Sequence, residues 1–329
     1  MNVMKSTDAT SSSRKLQMGR VSLNGSKKSS AQTGQPGNPD EESQPSTRPS
    51  FTLGTTATDL DPRVHAIRGD IADIALADRV ALPHYVAPVM RQACVSVTDL
   101  RCDPDDDAEL GSQLLFGERF AWLDTVDDWA WGYGVHDHFV GFVRKDTLAA
   151  VIEPTHIVSA VSTPVANGSA EMLHMGSAVT GDVAGDSLQL ADGAVALSDV
   201  RPLGSIVDDP VAVAEMFSGA PYLLGGRSGA GIDCSGLVQV ALAMAGHAVQ
   251  RDSDMQQDSI GELLSSDADL ERGDLIFFPE HVGMMVGPTD MIHATGHAGA
   301  VVTEPLADVT ARIAKEHDIP VLARRRIAR

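Results

Sequence analysis

The sequence predicts a multidomain protein in which small all-β barrels precede an α+β domain. The chain has 329 residues, enough for about two to three domains. Between Met90 and Leu148 the apolar residues come in short runs separated by Asp, Gly and Pro clusters, a spacing typical of short barrel strands. From Asp208 the pattern changes to a helix, a glycine-rich loop, a long apolar helix and a set of strands.

Five segments follow from these changes in pattern. The apolar spacing after Asp61 (Val64, Ile67, Ile71 and Ile74) indicates a short helix that prolines then end. The predicted segments are a disordered tail over 1–55, a linker with a short helix over 56–89, a first barrel over 90–150, a second and reduced barrel over 151–206, and the α+β domain over 207–329.

Charge and cysteine content exclude several classes of protein. The chain has 25 Lys and Arg against 45 Asp and Glu, a formal net charge of -20, which would repel a nucleic-acid backbone. Its three cysteines, Cys94, Cys102 and Cys234, are too few for a disulfide framework and suit a reducing compartment.

The N-terminal residues and the apolar runs bear on localisation. No stretch reaches the roughly 18 to 20 apolar residues of a membrane-spanning helix, and the N-terminus lacks the apolar core of a secretory signal. We therefore expect a cytoplasmic protein with no membrane partner. A transit peptide stays open as an alternative, because the first 39 residues contain six Lys or Arg and one acid, Asp8.

Cys234 is the candidate nucleophile. Glycines at 225, 226, 229 and 231 disfavour regular structure before it, whereas residues 235–245 are apolar and helix-compatible and are followed by Gly246. Cys234 is therefore predicted to open a helix, where unpaired N–H groups stabilise a thiolate and lower a cysteine pKa below about 8.5. The same groups can stabilise an oxyanion.

Two histidines are candidate partners of the thiol. His281 and His293 lie on two apolar runs that predict a hairpin. A turn centred on Gly287 places them opposite each other, about 5 Å apart at Cβ. A turn centred within residues 287–290 offsets them diagonally, still within reach.

This arrangement suits nucleophilic catalysis, in which Cys234 attacks a carbonyl, His281 acts as base and His293 orients His281. Two non-catalytic roles for the same side chains stay open. Cys234 can pack as a small apolar residue while the two histidines only make structural hydrogen bonds. Alternatively, the three side chains can bind zinc together with Asp233.

Several motifs then appear in one order: PYLLGG (221–226), DCSGLV (233–238), RDSDMQ (251–256), LERGDLIFF (270–278), HVGMMVG (281–287) and MIHAT (291–295). In this order they resemble the NlpC/P60 family of papain-like cysteine peptidases, over about residues 208–329. The preceding segments resemble the bacterial SH3-type (SH3-like) barrels that accompany such peptidases. The resemblance implies hydrolysis of the γ-D-glutamyl to diamino-acid bond of cell-wall (murein) peptides, with Cys234, His281 and His293 as nucleophile, base and orienting residue.

The resemblance also implies substrate-binding residues. Tyr222 corresponds to a tyrosine beside the nucleophile, and Asp233, Ser235 and Ser253 correspond to residues that recognise the amino terminus of a free peptide. Glu118 in the first barrel corresponds to an acid that closes the amine pocket. A helix-capping role for Asp233 and a solvated strand charge for Glu118 stay open.

Leu223 and Leu224 stand where family members often carry Trp, and Phe139 stands where Tyr is common, so a different substrate pocket is expected. The overall prediction is a cytoplasmic cysteine endopeptidase for short murein peptides with a free amine, without cofactor or metal. A non-catalytic peptide- or wall-binding protein and a papain-like acyltransferase or amidase are the alternatives.

Overall fold

The computed structural model describes residues 60–327, apart from 169 and 171. The predicted tail over 1–55 lies outside these residues. Among the described helices, none has the length and apolar character needed to cross a membrane.

Residues 60–89 differ from the predicted linker with a short helix. The segment forms a small sheet, and its only helical turn is a 3₁₀ turn at Ile74–Leu76, where Asp73 caps the backbone N–H of Ala75. The helix prediction was wrong because Gly69 turns the chain at a φ of 58°, and Ile67 and Ile71 lie on paired antiparallel strands rather than on one helix. The strands are β1 (Ile67–Arg68), β2 (Ile71–Asp73) and β3 (His84–Val86).

The next part of the chain is one seven-stranded antiparallel sheet that closes over two apolar clusters. Gly141 lets two strands approach, because a Cβ there would lie 2.1 Å from Leu100 Cδ2. Its strands are β4 (Val89–Ala93), β5 (Val97–Arg101), β6 (Leu110–Leu115), β7 (Arg119–Val126), β8 (Trp129–Gly134), β9 (Val140–Arg144) and β10 (Leu148–Ala149), in the sheet order β10-β4-β7-β8-β9-β5-β6.

Residues 156–202 form three small sheets around one apolar core, with Val158, Leu173 and Leu188 at its centre. The strands are short, as the weaker apolar pattern predicts. They are β11 (His156–Val158), β12 (Ser162–Pro164), β13 (Met172–His174), β14 (Ala178–Val179), β15 (Gly181–Ala184), β16 (Ser187–Leu190), β17 (Ala194–Ala196) and β18 (Val200–Pro202).

The C-terminal part is the predicted α+β domain. Its elements are α1 (Pro210–Met216), β19 (Arg227–Ser228), β20 (Gly231–Ile232), α2 (Cys234–Met244), α3 (Ser253–Ser259), β21 (Glu262–Leu263), β22 (Leu275–Phe278), β23 (His281–Met285), β24 (Asp290–Thr295), β25 (Ala300–Pro305), α4 (Leu306–Ile313) and β26 (Ala323–Arg326). The six-stranded sheet has the order β21-β26-β22-β23-β24-β25, and α2 packs on β23 and β24.

Helix α2 is buried on nearly all sides, and Ala243 is its one exposed residue. This explains why its sequence is apolar on every face rather than along one stripe. Helix α2 packs between α1 and the six-stranded sheet, and its N-terminus lies against the start of β23.

The first barrel contacts the α+β domain next to the start of α2. Strand β6 lies beside β19, where the Arg227 backbone N–H donates to Gln113 Oε1 at 3.0 Å. Gly225 allows this approach, since a Cβ there would lie 2.2 Å from the Leu110 carbonyl oxygen. The two parts therefore meet at the turn that carries Cys234.

Candidate active site

Cys234 is the first residue of α2, as the glycine-rich pattern predicts. Asp233 precedes it as N-cap, and its carboxylate accepts the backbone N–H of Gly236 at 2.7 Å and of Gly225 at 2.7 Å. The cap satisfies an N–H that the helix leaves unpaired and holds the glycine loop against the helix.

The pKa of Cys234 is shifted in the direction opposite to the prediction. The residue is 7% exposed, and burial together with the Asp233 carboxylate raises its pKa to about 12. The backbone N–H groups of Val282 and Ser235 act in the opposite direction but are outweighed. The expected low pKa was wrong because the helix terminus is desolvated and carries a capping anion, so the resting group is a thiol.

His281 and His293 lie on neighbouring strands in diagonal register. Met284 pairs with Ile292, so the turn is centred beyond Gly287 and the directly opposed arrangement is excluded. Gly283 lies opposite His293, since a Cβ at Gly283 would be 3.2 Å from His293 Cβ. The rings meet with His281 Nε2 2.7 Å from His293 Nδ1.

Glu304 and Arg312 extend this chain of contacts, and the sequence analysis missed both. His293 Nε2 lies 3.2 Å from Glu304 Oε1, and Arg312 donates to both Glu304 oxygens at 2.8 and 3.2 Å. Val302 pairs with His293 across β24 and β25, so Glu304 is on the same face two residues on. Strand alternation could have indicated Glu304 once this pairing was known.

We call the hydrogen-bonded chain His281–His293–Glu304 the histidine relay. Its electrostatics favour neutral imidazole rings. Burial, then the neighbouring His293 and Arg312, lower the pKa of His281 to about 3. Burial also lowers the pKa of His293, although Glu304 opposes the shift. The hydrogen bond from Arg312 lowers the pKa of Glu304, which is therefore an anion at neutral pH. A neutral imidazole has the free lone pair that a general base needs.

Tyr222 packs against the apolar cluster that contains Cys234, in line with what the resemblance implies. Burial, then Cys234 and Asp233, raise the pKa of its hydroxyl to about 12, which keeps it protonated. Backbone bridges from Pro221 to Ala300 and from Tyr222 to Ile232 fix the segment. A protonated phenol in this position can donate a hydrogen bond to a reacting oxygen.

Asp233 and Ser235 lie close together, and both accept hydrogen bonds from the same arginine, Arg251. Arg251, 1% exposed, donates to Asp233 Oδ1 at 3.0 Å and Oδ2 at 2.6 Å and to Ser235 Oγ at 2.9 Å. Its Nε also donates to Ser112 Oγ of the barrel at 3.1 Å. Capping and the ion pair with Arg251 use both Asp233 oxygens, so the helix-capping role that the sequence left open is present.

Glu118 is also paired rather than solvated. Arg227 donates to its two oxygens at 2.8 and 3.1 Å, and the Glu118 side chain is 13% exposed. Burial would raise the pKa of Glu118, but the charges of Arg227 and His136 lower it below its usual value. The alternative of a solvated strand charge is thus wrong, and the acid lies where the barrel meets the glycine loop.

A third carboxylate, Asp137, was not singled out from the sequence. It is 4% exposed and accepts from Gln239 Nε2 at 3.0 Å, while Arg227 Nε donates to Gln239 Oε1 at 2.6 Å. Ser253, the remaining predicted binding residue, is the first residue of α3 and half-buried. Over residues 60–327 without 169 and 171, no three His, Cys, Asp or Glu side chains gather as a metal site.

Comparisons with known proteins agree with the fold. The model of the NlpC/P60 family matches residues 219–316, and that of the bacterial dipeptidyl-peptidase Sh3 domain matches residues 100–148. A Haemophilus influenzae protein named probable endopeptidase is 32% identical over 109 residues, which cover 29% of this chain and 67% of that protein. A Bacillus cereus protein named gamma-D-glutamyl-L-lysine dipeptidyl-peptidase is 36% identical over 107 residues, 30% of this chain and 32% of that protein.

A solved structure extends the likeness over both parts of the chain. The crystal structure of an NlpC/P60 family protein from Bacillus cereus has a TM-score of 0.62 and 20% identity, covering 72% of this chain and 99% of that one. The architecture is thus an SH3-type barrel followed by a papain-like α+β domain. The chain belongs to the NlpC/P60 family, a family of cysteine peptidases. It spans about a third of the length of the Bacillus cereus dipeptidyl-peptidase.

The raised pKa of Cys234 predicts how its alkylation depends on pH. The thiolate is the reactive form, so the rate of alkylation by iodoacetamide in the absence of substrate should rise about tenfold per pH unit from about pH 6 to 9. Mass spectrometry of the modified peptide measures this rate, and Cys234→Ala defines the labelling of exposed Cys94 and Cys102. A fast rate independent of pH would instead show a preformed thiolate.

The buried Arg251–Asp233 pair predicts a large loss of stability when one partner is removed. Arg251→Met should lower the free energy of unfolding by about 3 to 5 kcal/mol, because it leaves Asp233 charged and buried. Arg119→Met, which removes an exposed pair with Glu153, should cost less than about 1 kcal/mol.

Urea unfolding of Arg251→Met, Asp233→Asn and their double variant completes this test. The loss in the double variant should be smaller than the sum of the two single losses. Additive losses, or an Arg251→Met loss no larger than that of Arg119→Met, would contradict the assignment.

Proposed function

We propose that this protein is a cysteine endopeptidase that hydrolyses the γ-D-glutamyl to diamino-acid bond of short murein peptides with a free amino terminus. The observation that supports this most directly is the His281–His293 contact beside the N-terminus of the helix that begins at Cys234. A nucleophile, a base and a group that orients the base are the parts that acyl transfer requires.

The reaction begins with a neutral thiol and a neutral imidazole. As the Cys234 sulfur attacks the γ-carbonyl carbon, its proton passes to His281, and the carbonyl oxygen becomes an oxyanion. Tyr222, held as a phenol by its raised pKa of about 12, and the N–H groups at the start of α2 are the donors available to this oxygen.

Collapse of this intermediate breaks the amide bond. His281 returns the proton to the leaving amine of the diamino acid, and the glutamyl part stays on Cys234 as a thioester. Water then attacks the thioester, again with His281 as base, and releases the carboxylate and the thiol.

Charge at the contact between barrel and α+β domain supports recognition of the substrate amine. Two buried guanidinium groups, Arg227 and Arg251, face two buried carboxylates and one partly buried carboxylate. His136 Nε2 lies 3.1 Å from Asp137 Oδ2, so the cluster has one negative charge in excess with a neutral His136 imidazole and none with a protonated one. The excess negative charge favours a cation in a poorly solvated site. The acids are Glu118, Asp137 and Asp233.

The name of the Bacillus cereus relative, gamma-D-glutamyl-L-lysine dipeptidyl-peptidase, agrees with this substrate class. Release of a dipeptide from an amino terminus requires the enzyme to measure the distance from the amine to the cleaved bond. Glu118 and Asp137 of the first barrel lie beside the turn that carries Cys234 and suit that role. Because such recognition needs a free amino terminus, we propose free peptides rather than intact wall as substrates.

Activity on L-Ala-γ-D-Glu-L-Lys tests the proposal. The wild-type protein should release L-Ala-D-Glu, and acetylation of the amine should lower kcat/KM about 10- to 100-fold, the effect of one lost charged hydrogen bond. Cys234→Ala should abolish turnover, whereas Cys94→Ala, at an exposed cysteine, should leave it unchanged. Chromatography of the products measures all four reactions.

The other outcomes separate the alternatives. Turnover by Cys234→Ala would refute the cysteine mechanism. Peptide binding without turnover by the wild-type protein would indicate a binding module. Transfer of the glutamyl group to an added amine in place of water would indicate an acyltransferase. Equal rates on free and acetylated peptides would refute recognition of the amine.

A further inference from the structure

Glu304 occupies the end of the histidine relay that is farthest from the thiol. We propose that Glu304 is a positioning residue that fixes a proton on Nε2 of both His293 and His281 and so leaves Nδ1 of His281 free to accept the Cys234 proton. This inference rests on the proposed function of Cys234 and His281 and goes beyond it, because it assigns the tautomers and the residue that selects them.

Glu304 can only accept a hydrogen bond from His293. Arg312 donates to both Glu304 oxygens, at 2.8 and 3.2 Å, which keeps the group an anion. An ionised carboxylate has no proton to donate. The 3.2 Å contact from Glu304 Oε1 to His293 Nε2 therefore requires the proton to be on that nitrogen.

The tautomer of His293 in turn determines that of His281. A neutral imidazole carries one N–H, so His293 Nδ1 must be an acceptor once Nε2 is the donor. The 2.7 Å contact between His293 Nδ1 and His281 Nε2 then requires His281 to donate. The remaining nitrogen of His281, Nδ1, keeps its lone pair.

Several other charges act on the two rings. The groups that act on His293 are Glu304 on β25, Arg312 on α4 and His297 in the turn between β24 and β25. His281 also experiences the Asp233 carboxylate. Arg312 disfavours a proton on either ring, whereas Glu304 favours one on His293. Glu304 is the one of these groups that makes a directional hydrogen bond to a ring nitrogen in the described part of the chain.

Arg312 gives α4 a part in this arrangement. The helix follows β25 directly, and its last turn carries Arg312 back over the strand to Glu304. The pair is partly exposed, with side chains 27% and 21% accessible. Its importance for the relay is thus the orientation and ionisation of Glu304 rather than core stability.

The experiment compares Glu304→Gln with wild type. The Gln oxygen can keep the Arg312 contact and turn its NH₂ toward His293, which reverses every donor in the relay and places a proton on His281 Nδ1. We expect kcat on L-Ala-γ-D-Glu-L-Lys to fall about 10²- to 10⁴-fold with KM unchanged. Glu262→Gln, at an exposed position on β21, is the matched control and should keep full activity.

Arg312→Met provides a second activity readout. Without the guanidinium, the pKa of Glu304 and of both rings should rise, because Arg312 lowers all three. The acid limb of the kcat/KM profile should therefore move to higher pH. A merely structural role for Arg312 would lower activity without moving this limb. An unshifted limb would contradict the assigned role of Glu304.

Nitrogen-15 chemical shifts of the histidine rings measure the tautomers without activity and remain informative if Glu304→Gln is unstable. In wild type both rings should carry the proton on Nε2, and in Glu304→Gln on Nδ1. A proton on Nδ1 of either ring in wild type, or full kcat in Glu304→Gln, would overturn the inference.

The two proposals fail in different ways. If Cys234→Ala keeps its turnover, the proposed catalytic function is wrong, whereas the ring shifts of that variant still report the tautomers. If Cys234→Ala is inactive and Glu304→Gln is fully active, only the role of Glu304 is wrong.

Discussion

The structure depends most on one carboxylate, that of Asp233. It caps the helix that begins with Cys234, accepts an N–H from the glycine loop, and pairs through both oxygens with Arg251. Arg251 in turn reaches Ser112 of the first barrel. Because a buried charge is costly unless it is paired and hydrogen-bonded, these contacts hold the nucleophile turn, the glycine loop and the barrel in one arrangement.

The same carboxylate contributes, after burial, to the raised pKa of Cys234. A helix N-terminus ordinarily favours a thiolate, but here the terminus is buried and already carries an anion, so the pKa of Cys234 rises. In the proposed mechanism, the neutral thiol therefore passes its proton to a neutral histidine as the sulfur attacks the substrate. In that mechanism, charges separate only when a substrate carbonyl oxygen is present to take up the negative charge, close to the N–H groups at the start of α2.

Much of the site follows from local pattern in the sequence. The glycines before Cys234 and the apolar run after it indicate a helix start at that residue, and α2 begins there. The two histidine-bearing runs indicate a hairpin, and β23 pairs with β24. The segment over 60–89 shows the limit of this reasoning. Its apolar spacing suits a helix, but the turn at Gly69 and pairing with β3 produce a small sheet.

By itself, therefore, the sequence determined the class of fold, the order of its domains and the positions of the candidate nucleophile and histidines, because glycine placement and apolar periodicity act over a few residues. Only the tertiary structure decided which partner each charge has. Asp233 meets Arg251, Glu118 meets Arg227, and Glu304 meets His293. These partners lie on different elements, and which of them meet depends on strand register and on how the barrel packs against the α+β domain, neither of which a local pattern encodes.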